Sequence, residues 1–185
     1  MTHRILSMLL VLALVAAGCS SDDGTEPTPV PTEDWSFPAS TTKFSFTAYT
    51  ADSVFAVGAT FDVKMVVYNV NELFGLSAQV SYPSGTVEVL DVLTGPHFSP
   101  STDILTVKQI EASNNRVAYG VTFRRGTSTG KSGSGVVCKL KCRARAAGTA
   151  TFAVNVPTFQ ILKADGTPVP NAGTLVLESR TITVR

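Results

Sequence analysis

The sequence predicts an all-β protein, a jelly-roll or immunoglobulin-like β-sandwich of about nine strands. From residue 44 onward, apolar and polar residues alternate with a period of two, as in antiparallel strands with one buried face. The alternating runs are short and end in turn sequences such as Pro83-Ser84-Gly85 and Asp165-Gly166. No amphipathic helix of useful length separates them. This combination favours a sandwich of two antiparallel sheets.

Composition narrows the class of protein further. The 185 residues suit one domain of ordinary size with a short extra segment. The formal net charge of +1 argues against a nucleic-acid-binding protein, which normally carries a strongly basic face. Three cysteines are too few for a disulfide framework.

Residues 1–18 are predicted to be a signal peptide. Arg4 provides a basic start, and the 13 residues from Ile5 to Ala17 are almost entirely apolar. That run is too short to cross a bilayer, which takes ~20 residues in a helix. It closes on Ala16-Ala17-Gly18-Cys19, which resembles the lipobox of bacterial lipoproteins. In that family the cysteine is acylated and becomes the first residue of the mature chain, so the resemblance implies a lipid anchor at Cys19.

Residues 19–42 are predicted to be a tether that follows this anchor. The segment is rich in proline and carries five carboxylates but no lysine or arginine. Such a composition favours extended conformations and cannot bury a core. Ser20, directly after the cysteine, resembles an outer-membrane sorting signal. We therefore expect a protein of the bacterial cell envelope, anchored by lipid in the outer membrane and facing the periplasm or the cell surface.

Residues 43–185 are predicted to form the sandwich. Each strand places an apolar stripe in the core and its other residues towards water. The sharpest case is the run that ends near residue 145, because its opposite face is Lys139, Lys141, Arg143 and Arg145. The predicted core stripes are Phe61/Val63/Met65/Val67, Leu76/Ala78/Val80/Tyr82, Val117/Tyr119/Val121/Phe123, Val136/Cys138/Leu140/Cys142/Ala144 and Ala150/Phe152/Val154/Val156.

The two cysteines of the domain are predicted to be buried thiols. Cys138 and Cys142 are four residues apart on one strand face, hence ~13 Å apart at ~3.4 Å per residue. A disulfide needs Cα atoms within ~7 Å. The pair also lacks the tight turn and the nearby partner ligands of a zinc site. We expect no metal and no other cofactor.

Catalytic signals are weak. Residues 125–132 approach the phosphate-binding loop motif, but Arg125 replaces its first glycine and a strand follows in place of the required helix. We interpret them as an inter-strand loop. His97 is the only histidine after the signal peptide. The sequence therefore predicts a protein that is not an enzyme.

From about residue 46 to residue 185 the sequence resembles a cohesin domain, the module that binds dockerins in cellulosome-type assemblies. The resemblance depends on residues 57–63 (VGATFDV), 75–83 (GLSAQVSYP), 87–92 (VEVLDV) and the stretch from Gly135 to Thr151. The family's Y-D-P element occurs here as Tyr82-Pro83, without the aspartate.

The resemblance implies a jelly-roll sandwich that docks a small calcium-loaded helical module on one sheet face. The positions that it assigns to this face are Ser77, Gln79, Ser81, Lys108, Gly120, Thr122 and Thr151. On residue types alone, these small polar side chains fit either a protein-binding face or a plain solvated sheet. Basic residues around the face favour an acidic partner.

The leading hypothesis is a non-catalytic, dockerin-binding envelope lipoprotein. One alternative is a carbohydrate- or polysaccharide-binding module on the same fold, for which Tyr68 and Tyr49 are the candidate aromatic platform. Another is a structural envelope protein without a soluble ligand.

Overall fold

The computed structural model describes residues 32–39, 43–170 and 172–185. The chain divides into two units, residues 1–33 and residues 34–185, and only Thr32 and Glu33 of the first unit are described. The predicted signal peptide, Cys19 and most of the predicted tether therefore lie outside the described residues. Within the described ranges, no helix is long and apolar enough to cross a membrane.

The described residues of the second unit contain twelve strands and four short 3-10 turns. The strands are β1 (Ser45–Tyr49), β2 (Val54–Phe55), β3 (Thr60–Leu73), β4 (Gly75–Ser81), β5 (Val87–Thr94), β6 (Ile104–Glu111), β7 (Arg116–Phe123), β8 (Lys131–Ala144), β9 (Gly148–Val154), β10 (Gln160–Leu162), β11 (Val176–Glu178) and β12 (Arg180–Val184). The 3-10 turns are Ser101–Asp103, Ala112–Asn114, Val156–Thr158 and Ala172–Thr174.

The strands form two sheets that enclose one main core. The five-stranded sheet has the order β11-β1-β3-β8-β5. The seven-stranded sheet has the order β2-β12-β9-β4-β7-β6, and β10 pairs with β4 beside β9. The predicted all-β sandwich is confirmed, with twelve strands in place of about nine. The difference arises from β2, β10 and β11, which are only two or three residues long and carry too little alternation to be recognised.

The predicted apolar stripes supply most of the main core. All members of the stripes on β3, β4 and β7 are buried, and Cys138, Leu140, Cys142 and Ala144 of β8 join them. Phe46 of β1 and Phe152 of β9 are fully buried between the sheets. Burying a large apolar side chain stabilises a fold by roughly 1.5–3 kcal/mol, so this alternation accounts for the sandwich.

Two residues depart from the predicted stripes. Met65 lies opposite Cys138 while Val66 lies opposite Val136, so a bulge at Val137 interrupts the β3–β8 ladder. The bulge turns Val137 into the main core and Val136 to the outer side of the sheet. The prediction that Val136 faces the main core was therefore wrong. Val156 is 67% exposed, because β9 ends at Val154 and a proline-containing 3-10 turn follows.

Residues 34–39 lie against the outer side of the five-stranded sheet, and we call them the N-terminal clasp. Asp34 Oδ2 and the Ser36 carbonyl each accept a 2.7 Å hydrogen bond from Lys64 Nζ. Phe37 packs edge-on against Tyr68, with 5.9 Å between ring centroids. The packed unit thus begins at Asp34, whereas the sequence prediction placed its start at residue 43.

The clasp covers Lys139, which was predicted to face water. This side chain is 0% exposed, so that prediction was wrong. Its ammonium lies 3.1 Å from Asp62 Oδ2, donates a 3.1 Å hydrogen bond to the Asp34 carbonyl and lies 4.5 Å from the Trp35 ring centroid. A buried ammonium is tolerated only when it is paired and hydrogen-bonded. The clasp supplies two of these three contacts.

We predict that the Trp35 ring and Lys139 stabilise the domain together. Trp35→Ala should lower the free energy of unfolding by about 2 kcal/mol, because it removes both a cation–π contact to a desolvated ammonium and the packing of the ring on the apolar cluster of Val66, Tyr68 and Val136. In a Lys139→Met background the same change should cost about 1 kcal/mol less. Urea denaturation of the two single variants and the double variant measures this coupling. Equal costs in both backgrounds would contradict it.

We also predict that acid releases the clasp. The hydrogen bond from Lys64 holds the pKa of Asp34 well below its ordinary value of 3.8. The carboxylate's contribution is thus complete above that value and is lost as the pH falls through the lower pKa of the folded state. Trp35 is the only tryptophan in the chain, so its fluorescence reports on the clasp. Its emission should shift to longer wavelength with a midpoint below pH 3.8, and Asp34→Asn should show that shift at pH 7. A midpoint at or above 3.8 would contradict this assignment.

Candidate binding face

The outer side of the seven-stranded sheet is the candidate site, and we call it the polar face. Pairing between β4 and β7 defines its centre, where Gly75 lies opposite Thr122, Ser77 opposite Gly120, Gln79 opposite Ala118 and Ser81 opposite Arg116. Directly opposed residues of an antiparallel pair point to the same side. The intervening residues of both strands are buried in the main core. The pleat therefore presents a surface of mostly small, uncharged side chains.

The polar face continues across β9 and β12. Ser81 of β4 lies opposite Ala153 of β9, and Thr151 lies opposite Thr181 of β12. The two threonine hydroxyls are 2.9 Å apart and exposed. The Ser81 hydroxyl donates a 3.2 Å hydrogen bond to the Ala153 carbonyl. These local bonds hold the side chains close to the sheet, so the surface stays flat.

The structure brings together six of the seven positions that the sequence assigned to a partner-binding face. The six are Ser77, Gln79, Ser81, Gly120, Thr122 and Thr151. Lys108 does not join them. It lies opposite the buried Tyr119, on the inward side of β6, and its ammonium donates a 2.6 Å hydrogen bond to the Val92 carbonyl of the other sheet. The placement of Lys108 on the polar face is thus corrected, and Lys108 bridges the two sheets at the sandwich edge.

Sequence reasoning missed two apolar residues at the border of the polar face. Leu105 lies opposite Thr122 and Val107 opposite Gly120, and these β6 side chains are 53% and 69% exposed. In the run ILTVKQIE from Ile104 to Glu111, the even-numbered positions and the odd-numbered positions, which face opposite sides of the strand, each contain two apolar residues. Alternation therefore could not decide which side of this edge strand faces the core.

Charge is confined to the ends of the polar face. At one end Arg116 Nη2 lies 2.7 Å from Glu111 Oε2. Hydrogen bonds from Asn114 and Arg116 hold the pKa of Glu111 below its ordinary value. At the opposite end β7 is followed by the exposed Arg124 and Arg125. The middle of the surface is uncharged, with the Arg116–Glu111 pair at one end and Arg124 and Arg125 at the other.

Among the described residues, the two cysteines and the one histidine form no reactive site. Burial raises the pKa of both Cys138 and Cys142, and both thiols are free, as predicted. Burial lowers the pKa of His97 to about 4, and its Nε2 atom has no hydrogen-bond partner in the described part of the chain. His97 is thus neutral at pH 7 and enclosed. In the same described part, no group of three His, Cys, Asp or Glu side chains is arranged to hold a metal ion.

The loop between β7 and β8 contains a further motif. Gly126-Thr127-Ser128-Thr129-Gly130 has the G-x-S-x-G spacing of a hydrolase nucleophile elbow, which needs a strand-to-helix turn. Here a strand, β8, follows the loop. The Ser128 hydroxyl accepts a 3.0 Å hydrogen bond from the Gly130 amide. The segment is an inter-strand loop, as predicted, although the last two of the phosphate-loop-like residues 125–132, Lys131 and Ser132, already belong to β8.

The two tyrosines proposed as a carbohydrate platform lie elsewhere. Tyr68 is buried on the outer side of the five-stranded sheet, where its hydroxyl donates a 3.3 Å hydrogen bond to the Pro38 carbonyl. Tyr49 is half-buried beside the same cluster. Neither belongs to the polar face, and the clasp occupies the surface around them.

These features define a β-sandwich module with one clasped sheet and one open, polar sheet face. The chain belongs to the cohesin domain family, because the family's sequence model, "Cohesin domain", matches residues 45–184. The clasp lies before the matched region.

Solved cohesin structures share the fold. A non-cellulosomal cohesin from the archaeon Archaeoglobus fulgidus is 23% identical, has a TM-score of 0.58 and is matched over 76% of this chain and 91% of its own. A type II cohesin from the cellulosome of Acetivibrio cellulolyticus is 8% identical and has a TM-score of 0.66. The match covers 76% of this chain and 95% of that cohesin. A matched chain in the structure of a mutant type II cohesin–X-dockerin complex from the same organism is 10% identical and has a TM-score of 0.65. The match covers 76% of this chain and 99% of that chain. A search of curated proteins found no match.

Proposed function

We propose that this protein is a cell-envelope lipoprotein whose cohesin module binds a dockerin-type protein partner through the polar face. Cohesin domains are non-catalytic binding modules, and we assign the same role to this chain. The observation that supports the proposal is the outward phase of β4, β7 and β9, which gives this sheet a surface of mostly small, polar side chains.

The surface chemistry supports a protein partner. A flat sheet whose outward residues are mainly glycine, serine and threonine lets another backbone approach closely. The polar side chains at the ends of this face can pair with groups of the partner. A polysaccharide site would instead need exposed aromatic rings, and both tyrosine candidates pack with the clasp side of the sandwich. The structure of a type II cohesin–X-dockerin complex, one chain of which resembles this protein, provides a precedent for a dockerin as the partner.

Attachment to the membrane is proposed to occur through Cys19. The sequence around this cysteine has the small residues and the preceding apolar run of a lipobox. Several acyl chains on one residue hold a protein stably, whereas one chain binds marginally. The acidic, proline-rich residues 20–33 would then space the module from the outer membrane.

Partner binding is tested by placing bulky charges on the polar face. Ser77→Arg combined with Thr122→Arg should abolish capture of the partner from the exported proteins of the source organism, with thermal unfolding unchanged. The bait is the chain carrying Cys19→Ser, so that no lipid is attached. The captured protein should contain duplicated calcium-loop segments, and EDTA should release it.

The matched control is Ser53→Arg with Thr60→Arg, two exposed positions outside the polar face. This control should retain the partner. Capture that survives the polar-face variant would show that the face is misassigned. Retention of glycans alone would favour the polysaccharide-binding alternative.

Lipid attachment is tested separately by metabolic labelling with an alkyne fatty acid. The wild-type chain should carry the label and fractionate with the outer membrane. Cys19→Ser should lose the label and become soluble, because acylation needs that thiol. Cys142→Ala, which removes a buried thiol, should remain labelled. Label that persists in Cys19→Ser would contradict the assignment.

A further inference from the structure

The seven-stranded sheet ends in β6, which is an open edge strand. On one side β6 pairs with β7 in an unbroken register, from Ile104 opposite Phe123 to Glu111 opposite Arg116. Among the described residues, no strand pairs with its other side. An unpaired edge is a template for another strand, and proteins usually protect it with a bulge, a proline, a charge or a very short strand.

The other edge strands of the sandwich have this protection. β2, β10 and β11 have only two or three residues. β5 has eight residues, but a bulge interrupts it between Val89 and Asp91, and Glu88 adds a second charge. β6 also has eight residues, with neither a bulge nor a proline. Its lysine does not protect the edge, because the Lys108 ammonium is bonded to the Val92 carbonyl of the other sheet. β6 is thus a long edge without the usual protection.

The free backbone groups of β6 belong to its even-numbered residues. The Arg124 amide donates a 2.7 Å hydrogen bond to the Asp103 carbonyl, which continues the β6–β7 ladder by one pair. Backbone groups alternate in direction along an antiparallel strand. Odd-numbered residues of β6 therefore bond to β7. The residues whose N–H and C=O groups point to the open edge are Ile104, Thr106, Lys108 and Ile110.

The side chains along this edge are complementary to themselves. Leu105 and Val107 lie on the outer side of the sheet and are 53% and 69% exposed. Thr106 lies between them, so the run Leu-Thr-Val is nearly symmetric. Two antiparallel copies of β6 centred on Thr106 would place Leu105 of each copy directly opposite Val107 of the other. Opposed aliphatic side chains of this kind stabilise strand pairing.

The same register opposes no like charges. Asp103 would lie opposite Gln109 of the second copy, and Lys108 opposite Ile104. Moving the centre one residue towards the C-terminus would oppose Asp103 with Glu111, and moving it by two would oppose the two copies of Lys108. Like charges directly opposite one another destabilise a strand pair. The register centred on Thr106 is therefore favoured by both its apolar and its charged residues.

We infer that two copies of this protein pair through β6, antiparallel and centred on Thr106, to form a two-fold symmetric dimer with one continuous sheet. Thr106 bonds to its own copy, and Ile104 to Lys108, which gives about six backbone hydrogen bonds across the axis. Opposed residues of paired strands point to the same side, so the polar faces of both copies lie side by side on one surface. The inference goes beyond the proposed function and does not depend on it, because it uses only the edge of the sheet.

Amide hydrogen exchange tests whether the edge becomes paired. A single strand pair is a small interface, so the dimer should form only at high concentration. The unlipidated Cys19→Ser chain is compared at about 10 μM and about 1 mM. The Thr106 and Lys108 amides should exchange at least about threefold more slowly at the higher concentration, because pairing supplies their acceptors. The Leu105 and Val107 amides, which already bond to β7, are the internal control. Concentration-independent exchange at Thr106 and Lys108 would overturn the inference.

A lysine placed on the edge should prevent the association. Val107→Lys puts two ammonium groups close to the two-fold axis and should keep the chain monomeric at about 1 mM in sedimentation velocity. The matched control is Val176→Lys, which makes the same change at a 43% exposed residue of the short strand β11 and should dimerise like the wild type. Thermal unfolding checks that both variants are folded. A dimer of Val107→Lys, or a wild-type chain that stays monomeric, would contradict pairing through β6.

Disulfide trapping tests the register itself. Leu105→Cys and Val107→Cys chains, both in the Cys19→Ser background, are mixed with oxidised glutathione. In the register centred on Thr106 the two introduced cysteines are directly opposed, with Cα atoms ~4.5 Å apart, a distance that a disulfide can bridge. The mixture should give a covalent heterodimer, and each chain alone should cross-link far less, because identical positions are offset by two residues. Cys138 and Cys142 are buried and take no part.

Each outcome of the trapping experiment is decisive. Efficient self-linking of Val107→Cys alone would show a register centred on that residue and would overturn the one inferred. A mixture that gives no heterodimer would overturn the pairing of two copies altogether. Because neither variant changes the polar-face residues Ser77 and Thr122, both results are independent of partner capture.

Discussion

The buried ammonium of Lys139 determines how the two sides of this sandwich differ. A fully buried cation in the middle of a sheet requires partners on every open side, and Asp62 supplies only one of them. The Asp34 carbonyl and the Trp35 ring supply two more, so the clasp contributes directly to holding this buried cation. Lys64 has the same dependence, because its ammonium bonds to Asp34 and to Ser36. The clasp is thus a structural part of the domain although it precedes the residues that match the family.

This constraint leaves the seven-stranded sheet as the open side of the domain. Its central outward residues are small and uncharged, and they need no covering segment because none of them is a buried charge or a large apolar group. The large exposed side chains of this sheet are confined to its border, where Leu105 and Val107 lie on the edge strand. A surface that is flat at its centre and apolar at one border can receive a partner without first losing a contact of its own. The polar face and the clasped face therefore differ mainly in whether a segment of the chain already covers them, and less in their residue composition.

The sequence predicted those parts of the structure that depend on local alternation. The stripe Leu76, Ala78, Val80 and Tyr82 was predictable because each of its residues faces one core and no bulge interrupts β4. Val136 was not, because an extra residue in β8 changes the phase of the strand at Val137. Lys108 was misplaced because both phases of its edge strand are equally apolar. The clasp could not be predicted for a different reason. Its contacts join Asp34 to Lys64 and Trp35 to Lys139, and such long-range pairs leave no periodic pattern in the sequence.

The clasp and the polar face lie on opposite sheets, so the clasp does not overlap the surface proposed for partner binding. The clasp, residues 34–39, lies within the predicted tether of residues 19–42 and packs on the five-stranded sheet. A partner on β4 and β7 contacts neither the clasp nor the lysines beneath it, since the main core separates the two surfaces. The proposed binding mode therefore does not require the clasp to open. Conversely, the β4–β7 pairing does not depend on the clasp, because none of the ladder bonds of those strands involves residues 34–39.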